Sequence, residues 1–222
     1  MHRFALVLAL LAAASLPRIS EAEVIVSYGF DSLTSTLAIT SPLSVAIPPQ
    51  GSFEGIIEIT FTSDVAGAIV DGPATLNVFN LDTDLNIATN FLGPVTLVGP
   101  ASAELEDPVA GNLVGNTLSF AGAQGSFHAF GSLTCGGAIC AAGGFTPGMP
   151  RAFDGSASVA LPALTLASIH GTLAGLTFTV GGLSVVASLT FNGEETGREI
   201  VPEPAVALLL ALAAGALVVR RR

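Results

Sequence analysis

Between residues 23 and 201 the hydrophobic positions recur mostly every second residue. Phe53, Gly55, Ile57, Ile59 and Phe61 alternate with Glu54, Glu58, Thr60 and Thr62. Successive side chains of a strand point to opposite faces, so this pattern predicts a strand with one face in a core. Leu176, Phe178 and Val180 alternate with threonines, and Leu183, Val185, Ala187, Leu189 and Phe191 alternate mostly with Ser and Thr. Gly181-Gly182 between those two runs predicts a tight hairpin. Further strands are predicted over 24–30, 33–40, 74–80, 117–120, 125–134 and 156–161. No segment of this region carries a helical stripe, and Gly-Pro, Pro-Gly and Pro-Pro pairs punctuate it at short intervals. The expectation is an all-β fold, an antiparallel β-sandwich of jelly-roll or Ig-like type spanning residues 23–191. Residues 192–200 (NGEETGREI) are polar with two glycines, and predict a linker.

The two ends follow another rule. Met-His-Arg-Phe is followed by an almost unbroken apolar run from Ala5 to Leu16, then Pro17, with small residues at Ser20 and Ala22. A short positive segment, an apolar stretch of this length and small residues at −3 and −1 constitute a secretory signal, residues 1–22, with a helical core and cleavage between Ala22 and Glu23. At the other end Val201-Pro202-Glu203-Pro204 precedes fifteen uncharged residues, Ala205 to Val219, and then Arg220, Arg221 and Arg222. As a helix that run covers about 22 Å, against ~30 Å of bilayer hydrocarbon, so it crosses only with its arginines reaching to the interface. The positive-inside rule keeps the arginines cytoplasmic and places residues 23–201 on the far side.

This order of Pro-Glu-Pro, one hydrophobic helix and a terminal basic cluster resembles the PEP-CTERM sorting signal of Gram-negative bacteria. The resemblance covers residues 201–222. It implies that Pro202, Glu203 and Pro204 are the recognition motif, 205–219 the transmembrane helix and Arg220 to Arg222 the basic tail. It further implies an exosortase-like membrane enzyme and signal peptidase as processing partners, and an exported cell-surface or extracellular-matrix protein in a host that makes exopolysaccharide. The two prolines agree physically, since neither continues a helix and together they hold an extended strand outside the bilayer.

Charge narrows the function classes. The chain has 222 residues, 17 acids, seven arginines and no lysine. Residues 23–201 hold fifteen acids and two bases, Arg151 and Arg198, a formal charge of −13. Nucleic acid is therefore not an expected partner, because phosphate binding needs a basic footprint. A missing lysine also removes P-loop and Schiff-base chemistry.

Cys135 and Cys140 are the only cysteines, and export places them in an oxidising compartment, so a disulfide closing Cys-Gly-Gly-Ala-Ile-Cys is expected at a loop tip. Asp82, Asp84 and Asn86 set oxygen ligands at alternating positions, as at the start of a calcium loop. Ile87 then stands where that loop's glycine belongs, and Gly93 where its glutamate belongs. Calcium is the sole cofactor candidate. No catalytic residue is assigned: His128 and His170 lack neighbouring ligands, and Gly-x-Ser-x-Gly and His-Glu-x-x-His are missing. The leading expectation is a non-enzymatic structural or adhesive protein of an exopolysaccharide matrix. A polysaccharide-binding module would need a polar groove with a Phe or Tyr28 at its rim. A secreted hydrolase would need His128 or His170 beside a carboxylate and a serine.

Overall fold

The computed structural model describes residues 22–201 apart from 42–44, 48–53, 65, 91–93, 138–139, 142–145, 167–168 and 181–182. The signal segment before Ala22, and the sorting motif, helix and basic tail from Pro202 onward, lie outside the described residues. Among the described residues no helix is long and apolar enough to cross a membrane.

Among the described residues thirteen strands follow in order: β1 (Ala22–Phe30), β2 (Thr36–Ser41), β3 (Val45–Ile47), β4 (Glu54–Ser63), β5 (Ile69–Asn90), β6 (Pro94–Leu105) and β7 (Val109–Val114). They continue as β8 (Thr117–Ser119), β9 (Gln124–Gly136), β10 (Pro150–Ala160), β11 (Leu164–Thr165), β12 (Ile169–Val180) and β13 (Leu183–Val201). All pair antiparallel, in one connected sheet ordered β10-β9-β6-β5-β4-β1-β13-β2-β3, with β12 on β13 and β7, β8 and β11 branching from β5. The expected all-β antiparallel class is what the chain adopts. The strands form one curled sheet, and its curl brings β10 against β12 without a hydrogen-bonded ladder between them.

The curl gives the sheet an inner face, and the alternation read from the sequence fills it. Ile57, Ile59 and Phe61 of β4 are buried, as are Ala187, Leu189 and Phe191 of β13 and Val24, Val26 and Tyr28 of β1. At the centre Phe79 meets Phe30, Phe127 and Phe191 edge to face, at centroid distances of 5.3, 5.4 and 5.3 Å. Four rings from β1, β5, β9 and β13 thus lock strands far apart in sequence, an arrangement that stabilises by about 0.5–1.5 kcal/mol per pair beyond area burial.

β13 organises the fold. Its first half pairs with β12 and with β2, and its second half pairs with β1 from Glu23↔Val201 to Phe30↔Gly193. The expected polar linker at 192–200 is therefore strand, a correction with a plain cause. Its alternation is hidden because Arg198 and Glu195 occupy positions opposite inward-facing Val26 and Tyr28. Their ion pair at 2.9 Å lies at the rim of the sheet, so charges stand where a central strand would carry apolar residues. Charged side chains on an exposed edge also oppose unwanted strand addition.

β5 is similarly divided. Its start pairs with β4 and β7 and its end with β6, so 22 residues serve two neighbourhoods. Gly99 in β6 has a φ of +146°, and a Cβ there would stand 2.1 Å from the Ser132 carbonyl oxygen of β9. Only glycine permits that approach. Gly175, at φ +84°, makes the bulge at which the β12–β13 register shifts.

Strand directions give the sheet two ends. One end carries Ala22, Val201 and the β4–β5 and β7–β8 turns. The other carries the last residues of β2, β5, β9 and β12 and the first residues of β3, β6, β10 and β13.

Candidate functional site

The ladder register assembles a polar surface on the outer face of β10, β9, β6, β5 and β4. One row reads Asp154, Phe130, Ser102, Asp82 and Glu54, and the next reads Ser156, His128, Glu104 and Asn80. The alternate positions of these strands are buried Phe153, Phe127, Ala129 and Leu81. Inner-face packing therefore fixes which residues look outward.

Hydrogen bonds orient this face. His128 Nε2 donates to Asp154 Oδ1 at 3.0 Å across the β9–β10 ladder, and the His128 ring lies over Phe130 at 5.1 Å. Ser156 Oγ donates to Glu106 Oε1 at 2.7 Å, and Ser126 Oγ donates to Glu106 Oε2. Those two hydroxyls, with the positive field of His128 adding to them, hold the Glu106 carboxyl below its ordinary range. Ser102 Oγ donates to Asp82 Oδ1 at 2.5 Å, and Ser158 Oγ to Gln124 Oε1 at 2.8 Å.

The residues singled out in the sequence fall as follows. Asp82, Asp84 and Asn86 all lie on β5, exposed on one face with Thr83 and Leu85 turned inward. Alternate strand positions stand about 6.6–6.8 Å apart. The strand therefore lays the three out in a line where a calcium loop would wrap them round one ion. No group of three or more His, Cys, Asp or Glu poised to hold a metal occurs among the described residues. His170 Nδ1 lies 2.5 Å from Asn192 Oδ1 on the opposite strand. Asn192 itself is a clamp: its carbonyl accepts from Asp31 N at 2.8 Å, its amide donates to Ser35 Oγ at 3.3 Å, and its side chain donates to the Thr34 carbonyl at 3.2 Å.

Tyr28 cannot form the aromatic rim that a sugar site would need, because its ring is buried between β13 and β4 positions of the inner face. Burial, reinforced by Glu195 and opposed by Arg198, pushes its pKa up to about 12. Among the described residues the outward aromatic on this face is Phe130. Cys135 and Cys140 are disulfide-bonded, with Cα atoms 5.7 Å apart. Both are buried, and Cys140 lies in the β9–β10 connection, so the bridge ties that connection to the end of β9. Gly148 N donates to the Cys135 carbonyl at 3.1 Å and closes the same connection.

Sequence reading placed His128 without a partner; the partner, Asp154, is 26 residues away and comes into reach only through the β9–β10 register. Ser156 stands directly opposite His128, yet its hydroxyl is given to Glu106. Nucleophilic catalysis by a serine requires that hydroxyl to face a ring nitrogen of the base. As arranged, the surface offers fixed carboxylates, hydroxyls and one aromatic ring to a ligand lying across the strands. Comparison with known protein families, curated proteins and solved structures gave no match.

Proposed function

We propose that the chain is an exported cell-surface or extracellular-matrix protein, sorted through a PEP-CTERM-like segment and structural or adhesive in an exopolysaccharide matrix. On this reading signal peptidase cuts between Ala22 and Glu23. The 205–219 helix holds the protein in the inner membrane with Arg220 to Arg222 inside, and an exosortase-like enzyme acts at Pro202 to Pro204. The ectodomain is non-enzymatic, and the curl of its sheet serves as a sandwich of two layers.

The observation that supports it most is the pairing of Glu23 with Val201. Glu23 and Val201 adjoin the two addressing segments of this reading, so on it the first and last strands of the exported body meet where it would leave the membrane. Mass spectrometry of the protein from its native host tests the proposal. Termini at Glu23 and near Pro204 are expected; an intact Arg222 in the extracellular fraction would refute processing of the tail.

A second reading, a polysaccharide-binding module, is favoured by one feature: Phe130 and His128 in tilted ring contact amid Glu104, Glu106 and Asp154 on the outer face. Sugars are held by such combinations of ring and oriented carboxylate. Glycan-array binding that is lost in Phe130→Ala with an unchanged melting temperature would favour it.

A further inference from the structure

Two turns and the last residues of β13 lie at the end of the sheet where Ala22 and Val201 meet. The β4–β5 turn is braced by Asp64, whose carboxylate accepts from Ala66 N at 2.9 Å and from Ala68 N at 2.8 Å. The β7–β8 turn is braced by Asp71, whose carboxylate accepts from Gly115 N at 2.7 Å. Both acids thus hold backbone, and the tips they hold are apolar: Ala66, Ala68 and Val114 are exposed, Val114 to 64%. Ile200, 52% exposed, lies against the first turn, where a Cβ on Gly67 would stand 2.5 Å from its Cδ1. The register sets the second tip beyond the last pairing of β1 and β13. Val201, Glu23 and Thr62 share one row, the Thr62 hydroxyl donates to the Pro73 carbonyl, and Pro73 faces Asn112. Val114 lies two residues farther out, about 7 Å along the strand.

We infer that this end rests on the bilayer in which the chain's own helix is anchored, with the two braced turn tips in the headgroup layer. Exposed apolar side chains occur at the other end too, Val98 and Met149 among them, so exposure alone does not choose between the ends. The length of the link decides it. Val201 and Ala205 are four residues apart, at most about 14 Å of extended chain. On the anchored reading proposed above, which this inference rests on, residues 205–219 cover about 22 Å of ~30 Å of hydrocarbon, and each headgroup layer adds about 5–7 Å. With the arginines at the cytoplasmic boundary, Ala205 lies about 8 Å below the outer hydrocarbon boundary, and the link is used up in reaching the surface. Where the arginine side chains reach back, or the bilayer thins, Ala205 rises to that boundary and about 7–9 Å of link remains outside the headgroups. Val114 projects about that far, so its turn meets headgroups in either case. Glu23 and Glu199 stand on the last rows of the same end and are repelled by anionic headgroups, so the contact is closest on zwitterionic lipid.

The test uses the full chain in phosphatidylcholine vesicles that carry a nitroxide-headgroup lipid, with flotation to measure incorporation. A bimane label is placed on Val114→Cys and, in a second chain, on Leu33→Cys; the native cysteines are joined and buried, so the introduced thiol takes the label. Leu33 is 75% exposed in the turn after β1, a strand of nine residues, about 30 Å, that begins at Ala22. The label at Val114 is quenched several-fold more than the label at Leu33. About twenty Gly/Ser residues inserted between Val201 and Pro202, roughly 25 Å of free chain, bring Val114 down to the Leu33 level. Floated chain with both positions quenched alike overturns the contact. Quenching at Val114 that survives the insertion overturns it as well, because the label and not the link then carries that turn to the lipid. Chain that does not float refutes the anchor, and the contact falls with it, so flotation separates the two failures.

Discussion

Tyr28 makes the alkaline stability of this protein a one-group problem. The chain has no lysine, a single tyrosine and two cysteines that are joined to each other. Between the α-amino group and the arginines, Tyr28 is thus the only group left to ionise. Burial raises its pKa from 10.0 to about 12 in the folded state. A raised pKa favours the folded state while the group stays protonated. The contribution is complete below the unfolded value of 10.0 and is lost as pH climbs through about 12. The whole effect is about 2.7 kcal/mol, at about 1.4 kcal/mol per pH unit between the two values, and about half of it is gone at pH ~11. Urea unfolding followed by circular dichroism from pH ~8 to ~11.5 measures the loss, and tyrosinate absorbance gives the two pKa values directly. Tyr28→Phe keeps the ring in the core and removes the titration, so its stability stays flat over that interval. The reasoning fails if Tyr28→Phe loses stability as steeply as wild type, or if the native phenol titrates near 10.

Four other outcomes follow from the geometry. Gly99→Ala, which sets a methyl group against the Ser132 carbonyl, costs about 2–3 kcal/mol in urea unfolding, whereas Gly155→Ala, with open space at its Cβ, is neutral or stabilising. Cys135→Ser/Cys140→Ser lowers stability by about 2 kcal/mol, the chain-entropy value for so short a loop; a change within error would show that the bridge contributes nothing to the fold. Amides of residues 193–201 that pair with β1 exchange as slowly as those of β4, and rapid exchange throughout that stretch would restore the flexible tether that the sequence had suggested. Millimolar calcium leaves the melting temperature unchanged because Asp82 and Asp84 are splayed along β5; a rise that disappears in Asp82→Ala/Asp84→Ala would overturn this.

What the sequence made legible is what burial dictates. β4 and the first half of β13 announce themselves because each alternates apolar and polar residues against one core, and the structure buries Ile57, Ile59, Phe61, Ala187, Leu189 and Phe191 of the apolar set, while Phe53, Leu183 and Val185 lie outside the described side chains. β6 carries no strand pattern in sequence because Pro94, Gly99 and Pro100 break it, yet its pairing with β5 runs unbroken from Asn90↔Pro94 to Asn80↔Glu104. The second half of β13 has a linker's sequence because backbone pairing with β1, not side-chain burial, makes it a strand. The outer polar face could not have been read at all. Glu104, His128 and Ser156 are neighbours only once β6, β9 and β10 are in register, and that register is set by inward residues on the opposite face.

The position of β1 carries a consequence for how the body is completed. β1 and β2 run antiparallel to the same strand, β13, and are separated by the turn at 31–35, where the Asp31 carboxylate accepts from Leu33 N and Thr34 Oγ1. Asn192 then fastens that turn from the far end of the chain. The Thr196 hydroxyl donates to the Ser27 carbonyl across 169 residues of sequence. Contacts of such separation are costly to close and form late. β1 emerges first in an exported chain, but one of its two edges stays open until residues 193–201 arrive. Val201 is followed at once by Pro202, which cannot extend a ladder as a donor. On the proposed route the last pairing of the sheet therefore forms only after the entire ectodomain has crossed. Completion of the fold and presentation of the sorting motif then coincide at one point of the structure, with no slack between them.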